Sequence, residues 1–536
     1  MKMKRILALL LAAVLCFSVH TAFGSDIDGT SSAASAEESS GITFPLPEKK
    51  TLTAWRMGAT SDPKLGIVDY NDIPVWQELE EKTNVHIEWQ IPPSGQEQEN
   101  FNLMISSGEY PDLIWSVGTY YMGGLDKAIA DDFIIPLNDY MDGALSDYNK
   151  LISADESVYK DCKTDEGNFP CVYMINTPDQ GPWYGMTIRK DWLDELKLEI
   201  PVTYDDWHDV LVAFKEQKGA KSPIWLNYHA GDVFSVFSAG YGVSVLGGQG
   251  DGFINVDGKI KFSPMEEGYR EYITMLHDWY AEGLINPDFY SDTTNFFRCP
   301  DTLWATGNAG AWPEVYTLID LLPLMSATPE MDVVPIPAPV KNEGDQLHLR
   351  QCNPTCTGVG VGISTQCKDP ELAAAYLNLG SKEDWARLIY YGVEGDTYNM
   401  VDGKPVFTDK ILANADGLTT ADALTKYCSN FPGYYMWDRE LQGAGSKAIS
   451  AINEVWGSNA DVTYVVPNIT MTSEEASEYA RIMGDITTYA EEMTTKFILG
   501  REPLDNWDNY VQTLKRMGAD DAIALKQAAL DRFLNR

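Results

Sequence analysis

Aromatic side chains are the residues of this chain whose type and placement best suit binding chemistry. The 536 residues include 15 Trp and 28 Tyr, and many lie outside the apolar stripes of the predicted helices. Aromatic faces stack on the apolar face of a sugar ring, while nearby polar groups bond its hydroxyls. Ordinary core packing is the competing interpretation for any one of them. The loop-like segments that carry them contain Tyr120-Tyr121, Trp183-Tyr184, Tyr228-His229, Trp312, Tyr390-Tyr391, Tyr434-Tyr435 and Trp437.

Catalytic motifs are scarce in the sequence. It contains no HExxH, no GxSxG and no P-loop. Residues 358–362 (GVGVG) superficially resemble a nucleotide loop, but without the third-glycine spacing and the helix start they favour a strand. Paired carboxylates are expected by chance among 79 acidic residues, so they are weak evidence for a glycosidase. We therefore predict no catalytic residue, no cofactor and no enzyme activity.

Metal-binding patterns are equally weak. Cys162 and Cys171 flank an apparent turn and are suitable for a hairpin disulfide, whereas Cys352 and Cys356 lack histidines at zinc-ligand spacing. Small buried thiols are the favoured interpretation. A calcium site is the alternative at four acids that lack the EF-hand spacing, and a solvated turn is favoured there. These four acids are Asp155, Asp161, Asp165 and Glu166.

The charge of the chain excludes several classes of protein. Its 40 basic and 79 acidic residues give a formal net charge of -39. A general nucleic-acid binder needs clustered Lys and Arg, and so does a protein that docks on anionic lipid. Disorder is excluded as well, because 44% of the residues are hydrophobic and 11% are aromatic. The length predicts more than one compact region.

The first residues predict export from the cytoplasm. A basic start is followed by an apolar run of 12 residues from Ile6 to Phe17, which is shorter than the roughly 20 residues that span a bilayer. We expect a signal peptide over residues 1–24, cleaved after Gly24, and a flexible polar linker over residues 25–47. Lipidation at Cys16 stays open, although Leu15 and Phe17 fit a lipidation site poorly.

Alternating strand and helix patterns predict the fold class. Residues 51–55 form a predicted strand, Asp72 is a predicted cap for a helix over 75–82, and alternation predicts a strand over 85–89. A helix near Phe101 and a strand over 112–115 complete a βαβαβ start, which indicates a mostly parallel sheet covered by helices.

A second unit of the same kind follows. Thr203 and Asp206 predict a capping box for a helix that ends at Lys218, and Asp257-Gly258 predicts the turn of a hairpin over 253–262. Further predictions are a helix with a stripe from Tyr269 to Tyr280, an extended crossover over 333–337, a strand over 358–363, a helix capped by Asp369, and a long helix after Thr472 with a stripe from Tyr479 to Phe497.

Five segments in the same order resemble the extracellular solute-binding proteins of ABC importers, family 1, in its sugar-binding, maltose-binding-protein-like branch. No single segment is diagnostic, but the ordered set covers nearly all of the chain after the linker. The segments are Trp76 to Val85 (WQELEEKTNV), Phe101 to Asp112 (FNLMISSGEYPD), Ile188 to Leu193 (IRKDWL), Trp279 to Pro287 (WYAEGLINP) and Tyr391 to Gly395 (YGVEG).

The resemblance implies a bilobal α/β fold with a hinge and an interlobe cleft that captures an oligosaccharide for delivery to the ABC permease. Its boundaries would be 48–182 and 335–394 for lobe 1, and 183–334 and 395–536 for lobe 2. It also implies a monomer with a carbohydrate ligand and no nucleic acid. The ligand-binding residues predicted from the aromatic loops and the resemblance are Arg56, Tyr120, Tyr121, Trp183, Asn227, Tyr228, His229, Asp232, Trp312, Tyr391, Tyr435 and Trp437.

Two questions stay open at the level of sequence. A secreted glycosidase or polysaccharide lyase is the alternative function, because it shares the export signal and the aromatic loops. The acidic chain favours a neutral sugar, whereas Arg56, Arg189 and Arg350 suit a uronate if they face the cleft. For Arg189 a structural ion pair with Asp191 or with another carboxylate of its lobe is the favoured interpretation.

Overall fold

The fold is described from a computed structural model. It covers residues 41–58, 65–176, 181–226, 235–247, 250–290, 299–328, 330–349 and 355–536. The predicted signal peptide, Cys16 and most of the predicted linker lie outside these residues. None of the helices in the described part of the chain has both the length and the apolarity needed to span a membrane.

The strands are short and spread along the described residues. They are β1 (Lys50–Trp55), β2 (Val85–Gln90), β3 (Leu113–Trp115), β4 (Val172–Asn176), β5 (Tyr184–Arg189), β6 (Ser222–Ile224), β7 (Leu246–Gly247), β8 (Gly250–Asp251), β9 (Phe253–Val256), β10 (Lys259–Phe262), β11 (Ala309–Val315), β12 (Val333–Pro335), β13 (Cys356–Ile363), β14 (Tyr398–Val401), β15 (Lys404–Phe407) and β16 (Gly433–Tyr435).

The α-helices are likewise spread along the described residues. They are α1 (Pro74–Thr83), α2 (Glu97–Ser107), α3 (Val117–Tyr120), α4 (Leu125–Ala130), α5 (Ser146–Ser153), α6 (Glu156–Asp161), α7 (Lys190–Leu196), α8 (Tyr204–Lys218), α9 (Glu267–Ala281), α10 (Asp301–Trp304), α11 (Tyr316–Ile319), α12 (Leu322–Met325), α13 (Pro370–Asn378), α14 (Glu383–Tyr391), α15 (Asp409–Leu412), α16 (Thr420–Tyr427), α17 (Ser446–Ser450), α18 (Ser473–Ile498), α19 (Trp507–Met517) and α20 (Ala519–Leu534).

The first lobe is built on a six-stranded sheet in the order β16-β4-β13-β3-β1-β2. β1 pairs in parallel with β2 and β3, and β16 pairs in parallel with β4, whereas β13 is antiparallel to both of its neighbours. Both faces are covered, which is why β3 is buried at all three residues. β13 needs glycine at 360, because a side chain there would overlap Tyr173 and Cys171.

The second lobe is built on a four-stranded sheet in the order β12-β5-β11-β6. β5 is buried along its whole length and pairs in antiparallel fashion with β11 and β12. The C-terminal helices α18, α19 and α20 share a hydrophobic core with α8, α9 and the β9–β10 hairpin. The first lobe has a separate hydrophobic core around its own sheet. The predicted fold class, with two α/β lobes, is confirmed.

Local signals predicted several element boundaries well. Thr203 and Asp206 form the predicted capping box of α8, and Thr472 with Glu475 forms a second one at α18. The β9–β10 hairpin turns at Asp257-Gly258, as predicted. The cap predicted at Asp72 is wrong. Its carboxylate accepts hydrogen bonds from the preceding backbone N–H groups of residues 68 and 69, and the residue before α1 makes no side-chain cap.

The lobe boundaries differ from those that the resemblance implied. Residues 333–335, within the predicted crossover, form β12, an edge strand of the second sheet that pairs with β5. Residues 395–435 pack in the first lobe, because β16 adds to the edge of the first sheet beside β4. The predicted linker also ends earlier. Ile42, Phe44 and Leu46 pack on the first core, and the Leu46 N–H donates to the Thr83 carbonyl at 2.9 Å.

The cysteines are buried thiols in the described residues. The disulfide proposed between Cys162 and Cys171 is absent there. Instead the Cys162 sulfur lies 3.9 Å from the sulfur of Cys356, the first residue of β13. No group of metal-binding side chains forms among the described residues, and the Asp155 side chain caps the start of α6.

Asp161, the last residue of α6, has an unusual environment. Burial raises the pKa of its carboxyl from the ordinary value of 3.8 to about 6, and nearby Asp155 adds to this while Arg536 opposes it. Its Oδ1 is buried and accepts no hydrogen bond from any described residue. The ionised carboxylate therefore destabilises the folded state.

We expect Asp161→Asn to raise the free energy of unfolding at pH 7.5 by about 2 kcal/mol. The folded pKa lies above the unfolded one, so the wild type loses stability as pH rises from about 4 to 6, and the variant does not. Urea unfolding at a series of pH values would measure this, with the exposed Asp139→Asn as control. If the difference in unfolding free energy between Asp161→Asn and the wild type did not change with pH, the raised pKa of Asp161 would be contradicted.

Candidate ligand-binding site

The chain passes between the lobes at one edge of the first sheet. β4 ends at Asn176 before the second lobe begins with β5. β12 of the second lobe precedes β13 of the first sheet along the chain, and β16 ends at Tyr435 before α17. Because β4 and β16 are parallel to β1 and β3, these passages lie at the carboxyl ends of the parallel strands. Ligands of open α/β sheets bind at such an edge.

The second lobe presents a matching edge. β6 is parallel to β11, and β5 is antiparallel to it, so the carboxyl ends of β6 and β11 lie beside the start of β5. Trp183 immediately precedes β5, and its carbonyl accepts a hydrogen bond from the Tyr316 N–H at 3.1 Å. This contact fixes the end of β11 against the first passage from lobe to lobe.

The aromatics at these two edges meet in one cluster. We call it the junction cluster and define it as Trp183, Tyr316, Ile319, Tyr435, Trp437, Ile452 and Trp456. Trp183 and Tyr435 are half-buried, so parts of their rings stay accessible, whereas the other members are buried. The Tyr435 ring also packs edge-on against Tyr390 of the first lobe, with 5.5 Å between the ring centroids. The junction cluster therefore joins side chains from both lobes.

Trp456 fixes the cluster to the second lobe. Its ring lies on Gly185, where a Cβ would come within 2.5 Å of the indole, and its Nε1 donates to the Met186 carbonyl at 3.0 Å. Residues 451–455 before it form a π-helical turn, a form common at functional sites. Asp320 accepts from the Ala448 N–H at 2.9 Å, which holds α17 to the same lobe.

An ion pair between buried Arg439 and half-buried Glu440 lies beside the junction cluster. The Arg439 Nε donates to Glu440 at 2.9 Å, and its Nη1 donates to the carbonyls of Tyr390 and Ser429. Burial lowers the pKa of Arg439, but Glu440 raises it and the net pKa is above the ordinary value. Burial, Glu440 and Tyr435 together raise the pKa of Tyr316. Carboxylate, guanidinium and phenol groups are therefore all present next to the aromatic rings.

The first-lobe rim carries two more of the predicted tyrosines. Tyr120 is half-buried and packs edge-on against Trp55, with 5.4 Å between the centroids, and its hydroxyl donates to the Met57 sulfur at 3.5 Å. Met57 follows β1 and is 41% exposed. Tyr121 is buried instead, and its hydroxyl donates to Asp131 at 2.6 Å. Tyr120 with Met57 forms an accessible surface, whereas Tyr121 supports it.

Arg56 lies inside the first lobe and not on its surface. It is 6% exposed, its Nη2 donates to Asn430, and its Nη1 has no hydrogen-bond partner among the described residues. Burial lowers its pKa. Cation–π contacts compensate for part of the lost hydration. The guanidinium carbon lies 4.4–5.9 Å from the ring centroids of Tyr70, Trp76, Trp89 and Trp115.

Two further predicted residues are fully buried. Trp312 of β11 packs with Trp225 and Trp304 in a small core of the second lobe. Tyr391 ends α14, and its hydroxyl donates to Asp438 at 3.0 Å, next to Trp437. Tyr391 thus holds the segment that carries part of the junction cluster.

Four predicted residues, Asn227, Tyr228, His229 and Asp232, lie outside the described residues, and so does Arg350. They follow β6 or precede β13. Arg189, in contrast, belongs to the part of the chain that the structure describes. Its Nε donates to the Asp191 Oδ1 at 2.8 Å, and its Nη2 donates to the Asp191 Oδ2 at 2.5 Å. The predicted ion pair is confirmed.

Sequence reasoning missed Met57, Tyr316, Arg439 and Glu440. Tyr316 carried a usable signal, because side chains two residues apart share a face of a strand. Trp312 and Glu314 lie on one face of β11, and Tyr316, two residues beyond Glu314, is the first residue after the strand and begins α11. Arg439 and Glu440 had no such signal, since β16 was not predicted.

The sequence matches one family model, that of the bacterial extracellular solute-binding proteins, over residues 72–386. A curated relative is the fructooligosaccharide ABC transporter substrate-binding protein FusA of Streptococcus pneumoniae serotype 4. It is 26% identical over 529 residues, which cover 92% of each chain.

Solved structures share the fold at low identity. The alginate-binding protein AlgQ2, determined without calcium ion, is 23% identical with a TM-score of 0.69 over 91% of this chain and 99% of its own. An HMO-binding solute-binding protein associated with an ABC transporter, from Bifidobacterium longum infantis, is 16% identical with a TM-score of 0.72 over 90% of this chain and 99% of its own.

Proposed function

Because this chain belongs to the bacterial extracellular solute-binding proteins, we propose that it captures an oligosaccharide at the junction cluster and delivers it to the permease of an ABC importer. The lobes would close around the sugar by rotation at the three passages. The closed form, populated by binding, would be the form that the permease recognises.

The junction cluster is the observation that carries this proposal. Sugar sites combine aromatic faces with a few placed polar groups. Trp183 and Tyr435 supply half-buried rings, and the Arg439–Glu440 pair lies beside them. Because the rings come from both sides of the junction, a sugar bound there would contact both lobes.

The relatives support a carbohydrate as the ligand class. FusA is described as a fructooligosaccharide protein, AlgQ2 as an alginate-binding protein, and the Bifidobacterium protein as HMO-binding. Within this class we propose a neutral oligosaccharide. Arg189 is occupied by Asp191 and Arg56 is enclosed by aromatic rings, so neither is presented as a carboxylate ligand.

A thermal-shift panel tests the ligand class. We expect a neutral oligosaccharide such as kestose or a milk oligosaccharide to raise the melting temperature by several degrees, because a ligand at 100 times its Kd adds about 2.7 kcal/mol. Alginate oligosaccharides are the anionic comparison. A shift with alginate alone would overturn the neutral assignment, and no shift with any sugar would overturn the carbohydrate proposal.

We propose binding without turnover, by an exported monomer tethered to the outer face of the cytoplasmic membrane. A secreted glycosidase or lyase would share the aromatic surface, but it would release reducing ends from polysaccharide. A reducing-sugar assay on the purified chain separates these functions, and a positive result would contradict the binding-protein assignment.

A further inference from the structure

The C-terminal helix of the second lobe makes an ionic contact with the first lobe. Arg532 and Arg536 both donate to one carboxylate, that of Asp165, which follows α6. The Arg532 Nε lies 2.7 Å from Oδ2, and the Arg536 Nη2 lies 2.7 Å from Oδ1. We call these three side chains, together with Glu475, the Asp165 clamp.

The two halves of the clamp are firmly held in different lobes. On the first-lobe side, Asn138 bonds both ends of the turn after Asp165: its amide donates to the Gly167 carbonyl at 3.0 Å and accepts from the Phe169 N–H at 3.0 Å. On the second-lobe side, Gln527 of α20 bonds the β9–β10 hairpin at 2.8 and 2.9 Å. The clamp therefore joins a segment fixed in the first lobe to a segment fixed in the second.

The geometry of the clamp differs from that of an ordinary surface ion pair. Exposed pairs contribute little, but a bidentate, partly buried network contributes more. The side chains of Asp165 and Arg536 are 11% and 3% exposed. Glu475 accepts two hydrogen bonds from Arg532, at 2.9 and 2.6 Å. Arg536 also donates to the carbonyls of Lys160 and Lys163 at 3.1 and 2.6 Å.

The clamp lies close to a passage of the chain between the lobes. Cys162, three residues before Asp165, has its sulfur 3.9 Å from that of Cys356. Cys356 opens β13, directly after the second passage. A contact so near the passages restricts the directions in which the lobes rotate but does not block a rotation about an axis through itself.

We propose that Asp165, Arg532 and Arg536 are positioning residues that form a fourth, noncovalent connection between the lobes and thereby set sugar affinity from outside the site. This proposal rests on the proposed function in one respect, namely that the lobes close when the sugar binds. Without the clamp the free protein samples more interlobe angles, and the fraction competent to bind falls. Apparent affinity falls by the same factor.

Small-angle X-ray scattering of the sugar-free protein tests this without any ligand. For Asp165→Asn we expect the radius of gyration, about 24 Å for a chain of this length, to rise by about 1 Å. Asp251→Asn is the matched control, since it breaks the Lys526–Asp251 pair (2.6 Å) inside the second lobe. If Asp165→Asn folds poorly, Arg532→Gln, which changes a more exposed side chain of the clamp, is measured in its place.

Isothermal titration with kestose, or with whichever sugar shifts the melting temperature most, completes the test. We expect about three- to tenfold weaker binding for Asp165→Asn and unchanged binding for Asp251→Asn. Unchanged scattering in Asp165→Asn and Arg532→Gln would overturn the proposal. If the scattering of the variants changed but the wild type bound no sugar, the role of the clamp in holding the lobes would be supported and the proposed function would be overturned.

Discussion

Replacing Trp183 by alanine is expected to weaken oligosaccharide binding about thirtyfold. Trp183 is half-buried at the first passage between the lobes and belongs to the junction cluster. Truncating a central Trp contact costs about 2 kcal/mol or more in a binding site, and each 1.4 kcal/mol is a factor of ten. Isothermal titration with the sugar that gives the largest thermal shift would measure the change.

The matched control is Trp385→Ala. Trp385 is also half-buried, but it lies on α14 in a groove with Tyr398 and Met400, on the first lobe alone. We expect this variant to lose a similar amount of packing and to keep its sugar affinity. Equal affinities for the two variants would show that the junction cluster is not the binding surface.

Gly433→Ala is expected to destabilise the protein by about 2–4 kcal/mol, which combines overpacking with backbone strain. Gly433 begins β16 with φ of +102°, in the left-handed region, and a Cβ there would overlap the backbone of Gly380. Since β16 ends at Tyr435, we also expect weaker sugar binding. Chemical unfolding and titration on the same preparation would measure both effects.

Gly417→Ala separates the two causes of that loss. Gly417 has a similar φ of +75°, but no described atom lies within 4 Å of a Cβ there. Its substitution should cost about 1 kcal/mol, from backbone strain alone, and leave sugar binding unchanged. If both variants lost the same stability, the close approach of β16 to Gly380 would have no energetic role.

The fold was predictable where the signal is local. The capping box at Thr203 and the helix stripe from Tyr479 to Phe497 are read from residues three or four apart, and both are confirmed. The end of the first lobe was not predictable in this way. β16 is three residues long and contains a glycine, and its place in the sheet depends on pairing with β4, more than 250 residues earlier.

The candidate site was predictable in part for a related reason. Trp183, Tyr435 and Trp437 were predicted from their loop-like surroundings, and they meet in one cluster. Trp312 and Tyr391 had similar surroundings in the sequence but are fully buried. A local pattern identifies an aromatic residue outside a helix stripe, but it does not reveal how deeply the rest of the chain covers it.

The three passages also have a consequence for how such genes diverge. The first sheet takes strands from residues 50–115, 172–176, 356–363 and 433–435, so neither lobe is encoded by one continuous stretch. A single crossover between two relatives would therefore leave at least one lobe with segments from both parents. Exchange of one complete lobe between two relatives therefore requires a crossover in each of the three passages.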